Sequence, residues 1–381
     1  MTVDAEVNAL GCTKRVGDIW VGSMRTPVVY SPDHAAHSAD TGTWVGVTIP
    51  SEEVTARIEI ILSTLRSSGR EIVDAVTHDD EVLKTVHDAD LIEYLRGAYA
   101  AWVAWGYPDD PGQSQVTAYA FPTQRFLSPH PLRLPVSPGA LAGVYAMDTM
   151  TQIGEGTFDG ARAAVDVAQT AADLIVAGAP SAYAACRPPG HHAGRGFFGG
   201  SCYLNNAAVA AQTLREGGFD RVAVIDIDAH HGNGTQQIFY ERSDVVYGSV
   251  HVDPAAGWFP HFVGHADETG SGDGMGANLN VPIEPGEGDV RWLAGIDTIV
   301  DFARTAGVAA VVVSLGVDAA ISDPESPLQI TEAGFTLAGE RVASLRLPTV
   351  LVQEGGYDLT TLGVLVQATL DGFDHERGAD S

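Results

Sequence analysis

The stretch Arg221-Val-Ala-Val-Ile-Asp226-Ile-Asp228-Ala-His230-His231-Gly-Asn233-Gly234 decides the fold. Its first half is apolar on both faces. Such a run suits a strand of a parallel sheet covered by helices on each side. Acids and histidines follow at once. In an open parallel sheet the functional crevice lies beyond the carboxyl ends of the strands. The stretch therefore predicts a buried strand with a site at its end.

Working outward, strands are expected over 26–30, 182–186, 221–227, 245–250, 309–315 and 349–353. Helical periodicity covers 51–65 (with Ser51 as N-cap), 79–105, 157–177, 205–216, 290–306, 331–345 and 359–372. Strands alternating with helices imply βαβ units and a doubly wound α/β domain. The Pro- and Gly-rich segments 111–138 and 253–288 read as long loops. One catalytic domain is expected over residues 1–374, followed by a polar tail over 375–381.

Four more strand ends carry the same kind of polar motif. The run at 182–186 leads into Arg-Pro-Pro-Gly-His191-His192. The run at 245–250 leads into His251, the run at 309–315 into Gly-Val-Asp318, and the run at 349–353 into Glu-Gly-Gly-Tyr357. Side chains of a strand alternate between faces, so Asp226, Asp228 and His230 are expected on one side and His231 on the other. Asp228 and His230 can converge on one ion, with Asp318 as a third ligand. Two carboxylates and an imidazole leave a position open, as catalytic metal sites do. The set suits zinc and is oxygen-rich enough for ferrous iron, cobalt or manganese. His191 and His192 beside a metal-bound water could supply a general base and an electrostatic partner. The Tyr357 hydroxyl could donate to a developing oxyanion.

Composition sets bounds. The chain has 381 residues, with 21 Lys+Arg against 49 Asp+Glu and a formal net charge of −28. So negative a surface repels phosphate backbones and anionic lipid, which argues against nucleic-acid and membrane partners. It would attract amines and basic peptides. Three cysteines, Cys12, Cys186 and Cys202, make no disulfide framework and read as reduced thiols of a cytoplasmic protein. The N-terminus, with Asp4 and Lys14, has no apolar run of a signal peptide. No window is long and apolar enough to span a membrane.

Together these motifs resemble the histone deacetylase superfamily, and most closely its bacterial acetylpolyamine amidohydrolase branch. Gly-Gly-x-Cys202-x-x-Asn-Asn, His251-x-Asp-Pro, Phe259-Pro-His-Phe-x-Gly264 and Asp323-Pro add to the likeness, which runs from about residue 26 to 372. The resemblance implies the arginase–deacetylase fold, a single α/β domain with about eight parallel strands and helices on both faces. It implies that Asp228, His230 and Asp318 ligate Zn²⁺, and that His192 is the general base and later the acid to the leaving amine. It pairs His191 with Asp226, gives Tyr357 the oxyanion, and makes Asn233 a neutral partner of His192 where some relatives carry aspartate. It also implies a structural K⁺ held by Asp226, Asp228, His230 and Ser249, with Val250 through its backbone. A second would sit at carbonyls near Phe239, Arg242 and Val245.

Two departures stand out. Relatives carry an aromatic tunnel wall before the Cys of Gly-Gly-x-Cys, where this chain has Ser201 after Gly200; the opposite wall, Phe259 beside Trp258, is kept. Acetylpolyamine-specific members carry a rim glutamate where this chain has Met150, and Asp148 or Glu155 are the nearby acids that could replace it. The expected activity is hydrolysis of a small N-acyl amine by a homodimer whose entrance is narrowed by an inserted loop over 105–126. Competing expectations are a protein acyl-lysine deacylase and a non-catalytic metal- or partner-binding protein. A ureohydrolase of the same fold would need further carboxylates for a second metal.

Overall fold

The structure, a computed structural model, describes residues 25–378. Cys12, Lys14, Asp4 and the last three residues of the expected tail lie outside the described residues. The strands are β1 (Val28–Tyr30), β2 (Thr41–Trp44), β3 (Val47–Pro50), β4 (Ile72–Asp74), β5 (Ser181–Ala184), β6 (Val222–Asp226), β7 (Val245–Val252), β8 (Asn278–Ile283), β9 (Ala310–Leu315) and β10 (Thr349–Gln353). Eight of them form one sheet in the order β4-β1-β5-β10-β9-β6-β7-β8. Every neighbouring pair in it is parallel. The other two, β2 and β3, make a separate antiparallel hairpin.

Alternation along β6 shows why its sequence is apolar throughout. Val222 and Val224 join one core cluster, while Ala223 and Ile225 join the other. The first cluster is completed by α3 (Ala89–Ala104), α6 (Thr157–Val176) and α7 (Asn206–Glu216), through residues such as Leu95, Val165 and Leu214. The second is completed by α1 (Ala56–Ser67), α9 (Asp289–Ala306), α10 (Glu332–Ala343) and α11 (Leu362–Gly378), through Ile61, Trp292, Phe335 and Phe373. Trp292 is fully buried and meets Phe335 edge-on at 5.1 Å. Truncating such a side chain to alanine costs about 3–5 kcal/mol.

The structure departs from the expected elements in several places. The helix expected over 79–105 is broken into α2 (Glu81–Val86) and α3. His87 sits at the break, where its Nδ1 donates to Gly194 O at 2.8 Å and its Nε2 accepts from Asn205 N at 2.9 Å. Ser51 caps no helix: its hydroxyl accepts from Glu53 N at 3.2 Å, and α1 begins at Ala56 because Glu53 is drawn into a buried ion-pair cluster. The loop expected over 253–288 contains β8, and 111–138 contains the short α4 (Gln124–Leu127). Two helices not expected are α5 (Pro138–Tyr145) and α8 (Asn233–Phe239). The last helix runs on to Gly378, so 375–378 are helical rather than tail.

Candidate active site

β6 ends at Asp226, and the chain then turns: the Asp226 carboxylate accepts from Asp228 N at 3.2 Å. The expected alternation persists through this turn: His191 faces both Asp226 and Asp228, the latter at 3.8 Å from its Nε2, while Ile227 and Ala229 join the core cluster of Ala223 and Ile225. Asp226 points to His191 Nδ1 (3.1 Å) and the Tyr247 hydroxyl (3.0 Å), while Asp228 and His230 lie beyond the strand end. The parallel register sets Asp226 beside Ser314 of β9, so Asp318 arrives next to Asp228. Ligand-competent atoms of Asp228, His230 and Asp318 lie within 4.8 Å of one another. His230 Nδ1 stands 3.3 Å from Asp228 and 3.0 Å from Asp318.

Backbone amides hold the two carboxylates. Ala229 N donates to Asp318 at 2.8 Å, and Gly355 N to Asp228 at 2.8 Å. The approach is so close that a Cβ at Gly316 or Gly355 would collide with these carboxylates, which accounts for glycine in both motifs. Both acids are buried. Burial pushes the Asp318 carboxyl up, and the neighbouring Asp228 charge pushes it further. Two buried carboxylates against one imidazole are a costly arrangement unless a cation compensates them. The residues therefore fit a divalent metal.

The two histidines differ electrically. Burial opposes charge on His191, but Asp228 and Asp226 outweigh it and raise its pKa to about 10. Burial, His191 and His230 push His192 well below the ordinary imidazole range, so it is neutral. Its Nδ1 lies 2.7 Å from Asn233 Oδ1. That oxygen only accepts, so Nδ1 carries the proton and the Nε2 lone pair is free for the cavity. Asn233 opens α8. The Tyr357 phenol, whose pKa burial keeps well above its usual value, stays protonated and able to donate.

His192, His230 and Tyr357 line one cavity of about 410 Å³, together with Met150, Gly200, Ser201, Trp258 and Phe259. The structure thus brings together all five expected substrate-side residues. Phe259 stands edge-on to His192 at 4.9 Å between ring centroids. Ser201 has φ +62°, in the left-handed region, held by its N–H bond to the Thr151 hydroxyl at 2.9 Å. Asp148 is committed to Gly200 N and Thr151 N, at 2.6 and 2.8 Å. Glu155 lines a separate surface hollow with Ser38 and Tyr99. No residue of the 105–126 loop lines the cavity within one chain.

The residues of the expected cation sites lie nearby. Ser249 pairs in register with Asp226 and its hydroxyl meets His251 Nδ1 at 2.7 Å; Val250 follows it on β7. Phe239 ends α8, Arg242 N donates to Phe239 O at 2.9 Å, and Val245 starts β7.

Sequence reasoning missed the support beneath Tyr357. Buried Arg57 donates to Glu354 O and Gly356 O, both at 2.6 Å, and its guanidinium lies 4.7 Å from the Tyr357 ring centroid. Glu53 binds both Arg57 (3.0 Å) and Arg187 (2.9 Å). The Glu354 carboxylate accepts from Gly190 N at 2.6 Å and His191 N at 3.1 Å, which fixes the His-His turn. Glu354 was visible in its motif; Arg57 and Glu53 sit in an ordinary helix-entry segment.

Comparison with known proteins points the same way. The model of the histone deacetylase domain matches residues 51–373. The chain is 39% identical over 349 residues to acetylpolyamine amidohydrolase 1 of Pseudomonas aeruginosa, covering 91% of this chain and 98% of that protein. It is 39% identical over 346 residues to the acetylpolyamine amidohydrolase of Mycoplana ramosa, with the same two coverages, 91% and 98%. The crystal structure of acetylpolyamine aminohydrolase from Burkholderia pseudomallei superposes with a TM-score of 0.87 at 35% identity, over 93% of this chain and 100% of that one. The HDA15 HD domain superposes with a TM-score of 0.75 at 26% identity, over 92% and 90%.

Proposed function

Because this chain belongs to the histone deacetylase domain family, with its arginase–deacetylase fold and its amide-hydrolysing activity, we propose that it is a zinc-dependent deacetylase of small N-acyl amines such as acetylpolyamines. The observation that carries the proposal is that the Asp228–His230–Asp318 cluster opens, through His230, onto the same cavity as His192 and Tyr357. Relatives named for acetylpolyamine hydrolysis support the substrate class.

Zinc held by Asp228, His230 and Asp318 would polarise the acyl carbonyl and make a water nucleophilic near neutral pH. His192 Nε2, neutral and facing the cavity, takes the proton of the attacking water. It returns that proton to the leaving amine. His191, kept cationic by Asp226 and Asp228, stabilises the negative charge that develops, and its positive charge keeps His192 a weak base that releases its proton readily. The Tyr357 O–H donates to the carbonyl oxygen as it becomes an oxyanion. Phe259 and Trp258 cover one side and limit water. The structural K⁺ at Asp226, Asp228, His230, Ser249 and Val250, and a second near Phe239, Arg242 and Val245, belong to the proposal, as do the homodimer and a cytoplasmic location. No helix among the described residues is long and apolar enough to cross a membrane. Exposed Trp105, Tyr119 and Phe126 are the surface a second copy would cover.

The test is a panel of acetylpolyamines, acyl-lysine peptides and other acyl amides offered to metal-replete protein. Hydrolysis of the small amines is expected, and no hydrolysis of any member would sink the proposal. The second reading, a protein deacylase, is favoured by the absence of 105–126 from the cavity lining. Higher kcat/KM on acyl-lysine peptides than on acetylpolyamines would establish it instead.

A further inference from the structure

We propose that Glu52 and Glu325 read the distal positive charge of the amine, taking over the role of the acid missing at Met150. The inference rests on the deacetylase reading above and names the groups that would select the substrate at that same cavity.

Both carboxylates line the cavity that leads to His192, His230 and Tyr357. They come from unrelated segments: Glu52 lies two residues past the end of the β2–β3 hairpin, and Glu325 follows Asp323-Pro324 after β9. Both are exposed, and neither side chain has a hydrogen bond or ion pair among the described residues. The other two acids of the lining are already committed. Asp148 holds Gly200 N and Thr151 N, and Glu53 is paired with Arg57 and Arg187. No lysine or arginine lines the cavity.

The remaining lining is apolar where the stem of an amine would pass. Trp44, Ile49, Pro50, Met150, Trp258 and Phe259 supply this apolar lining. An alkyl chain with an ammonium at its far end matches this order of surfaces: acyl carbonyl at the catalytic groups, methylenes against tryptophan and methionine, and charge at the rim. The half-exposed Trp44 ring adds a face that attracts a cation. Met150 then has a use of its own, since it contributes apolar area along the stem rather than charge. Ser201, without an aromatic ring, leaves lateral room for that stem.

The interaction is made at a solvated rim, so its strength is that of an exposed ion pair, up to about fivefold for each carboxylate. The experiment compares kcat/KM for a monoacetylated diamine with that for its isostere, in which the free amine is a methyl group. Assays run at pH 8, where the free amine of the diamine is charged. The expected wild-type preference is for the cation. Glu52→Gln and Glu325→Gln are each expected to cut the ratio of the two kcat/KM values by about fivefold, through KM, and the double variant to bring it near unity. Raising the salt concentration should shrink the wild-type ratio in the same way.

Equal loss on both substrates would show a merely structural role and overturn the inference, as would an unchanged ratio. A wild-type enzyme that cleaves both amides equally would also overturn it while leaving the deacetylase reading intact. Cleavage of neither would remove both. Unchanged thermal melting of the variants checks that the fold persists.

Discussion

His192 Nδ1 is bonded to the side-chain oxygen of Asn233 at 2.7 Å, so the proposed general base has an amide behind it rather than a carboxylate. A neutral acceptor fixes the tautomer without stabilising the imidazolium. Asn233→Asp is therefore expected to raise the His192 pKa and move the acid limb of the kcat/KM profile to higher pH, because His192 must be unprotonated to act. Asn233→Leu should leave the ring unoriented and lower kcat by about tenfold to a hundredfold. A pH–rate profile of the three proteins checks both.

Removing the metal leaves two buried carboxylates facing one imidazole. Chelation is expected to abolish hydrolysis and to lower the melting temperature, with both restored on adding Zn²⁺ and, to different extents, Fe²⁺, Co²⁺ or Mn²⁺. Asp318→Asn should lose metal stoichiometry, measured by elemental analysis, as well as rate. Retention of full activity in a chelator-treated, metal-free preparation would contradict the assigned ligands.

Tyr357 is expected to act only when charge develops on the acyl oxygen. Tyr357→Phe should lower kcat by about 10²–10³-fold with little change in KM. A non-catalytic binding protein would be indifferent to this substitution, and to His192→Ala.

A pH effect on stability is expected far from the site. Partial burial pulls the His78 imidazole down, but bonds to Asp166 (3.2 Å) and Asp173 (3.0 Å) outweigh it and raise the pKa to about 9. A raised pKa stabilises the fold fully below the unfolded value near 6.5, and the stabilisation is lost as pH rises through 9. After screening by solvent it amounts to about 1 kcal/mol. His78→Gln should flatten the stability curve between pH 6.5 and 9, as measured by urea denaturation.

Much of this was legible because chemistry and apolar runs coincide at strand ends. Asp228, His230 and Asp318 follow β6 and β9 by only a few residues, so the sheet register alone brings them together. The pairing of Asp226 with His191 came through the resemblance and holds at 3.1 Å, whereas nothing in Asp-x-Asp-x-His announces the turn in which Asp226 also accepts from Asp228 N. β8 escaped notice because an edge strand need not be continuously apolar, and Asn278 and Asn280 interrupt the run. The break at His87 and the reach of Arg57 to Gly356 depend on contacts across more than 100 and nearly 300 residues. Local propensity carries no trace of such contacts.

The groups proposed for the chemistry issue from β5, β10, β9 and β6, four adjacent strands at the middle of the sheet. Trp44, Glu52 and Glu325 issue from a two-stranded ribbon and from connections. Their backbones belong to different opening units. Amide exchange should be slowest beneath the chemistry and fastest beneath the rim. A lineage of such proteins could then drift from one amine to another by altering the ribbon, while the hydrolytic apparatus stays locked in the sheet.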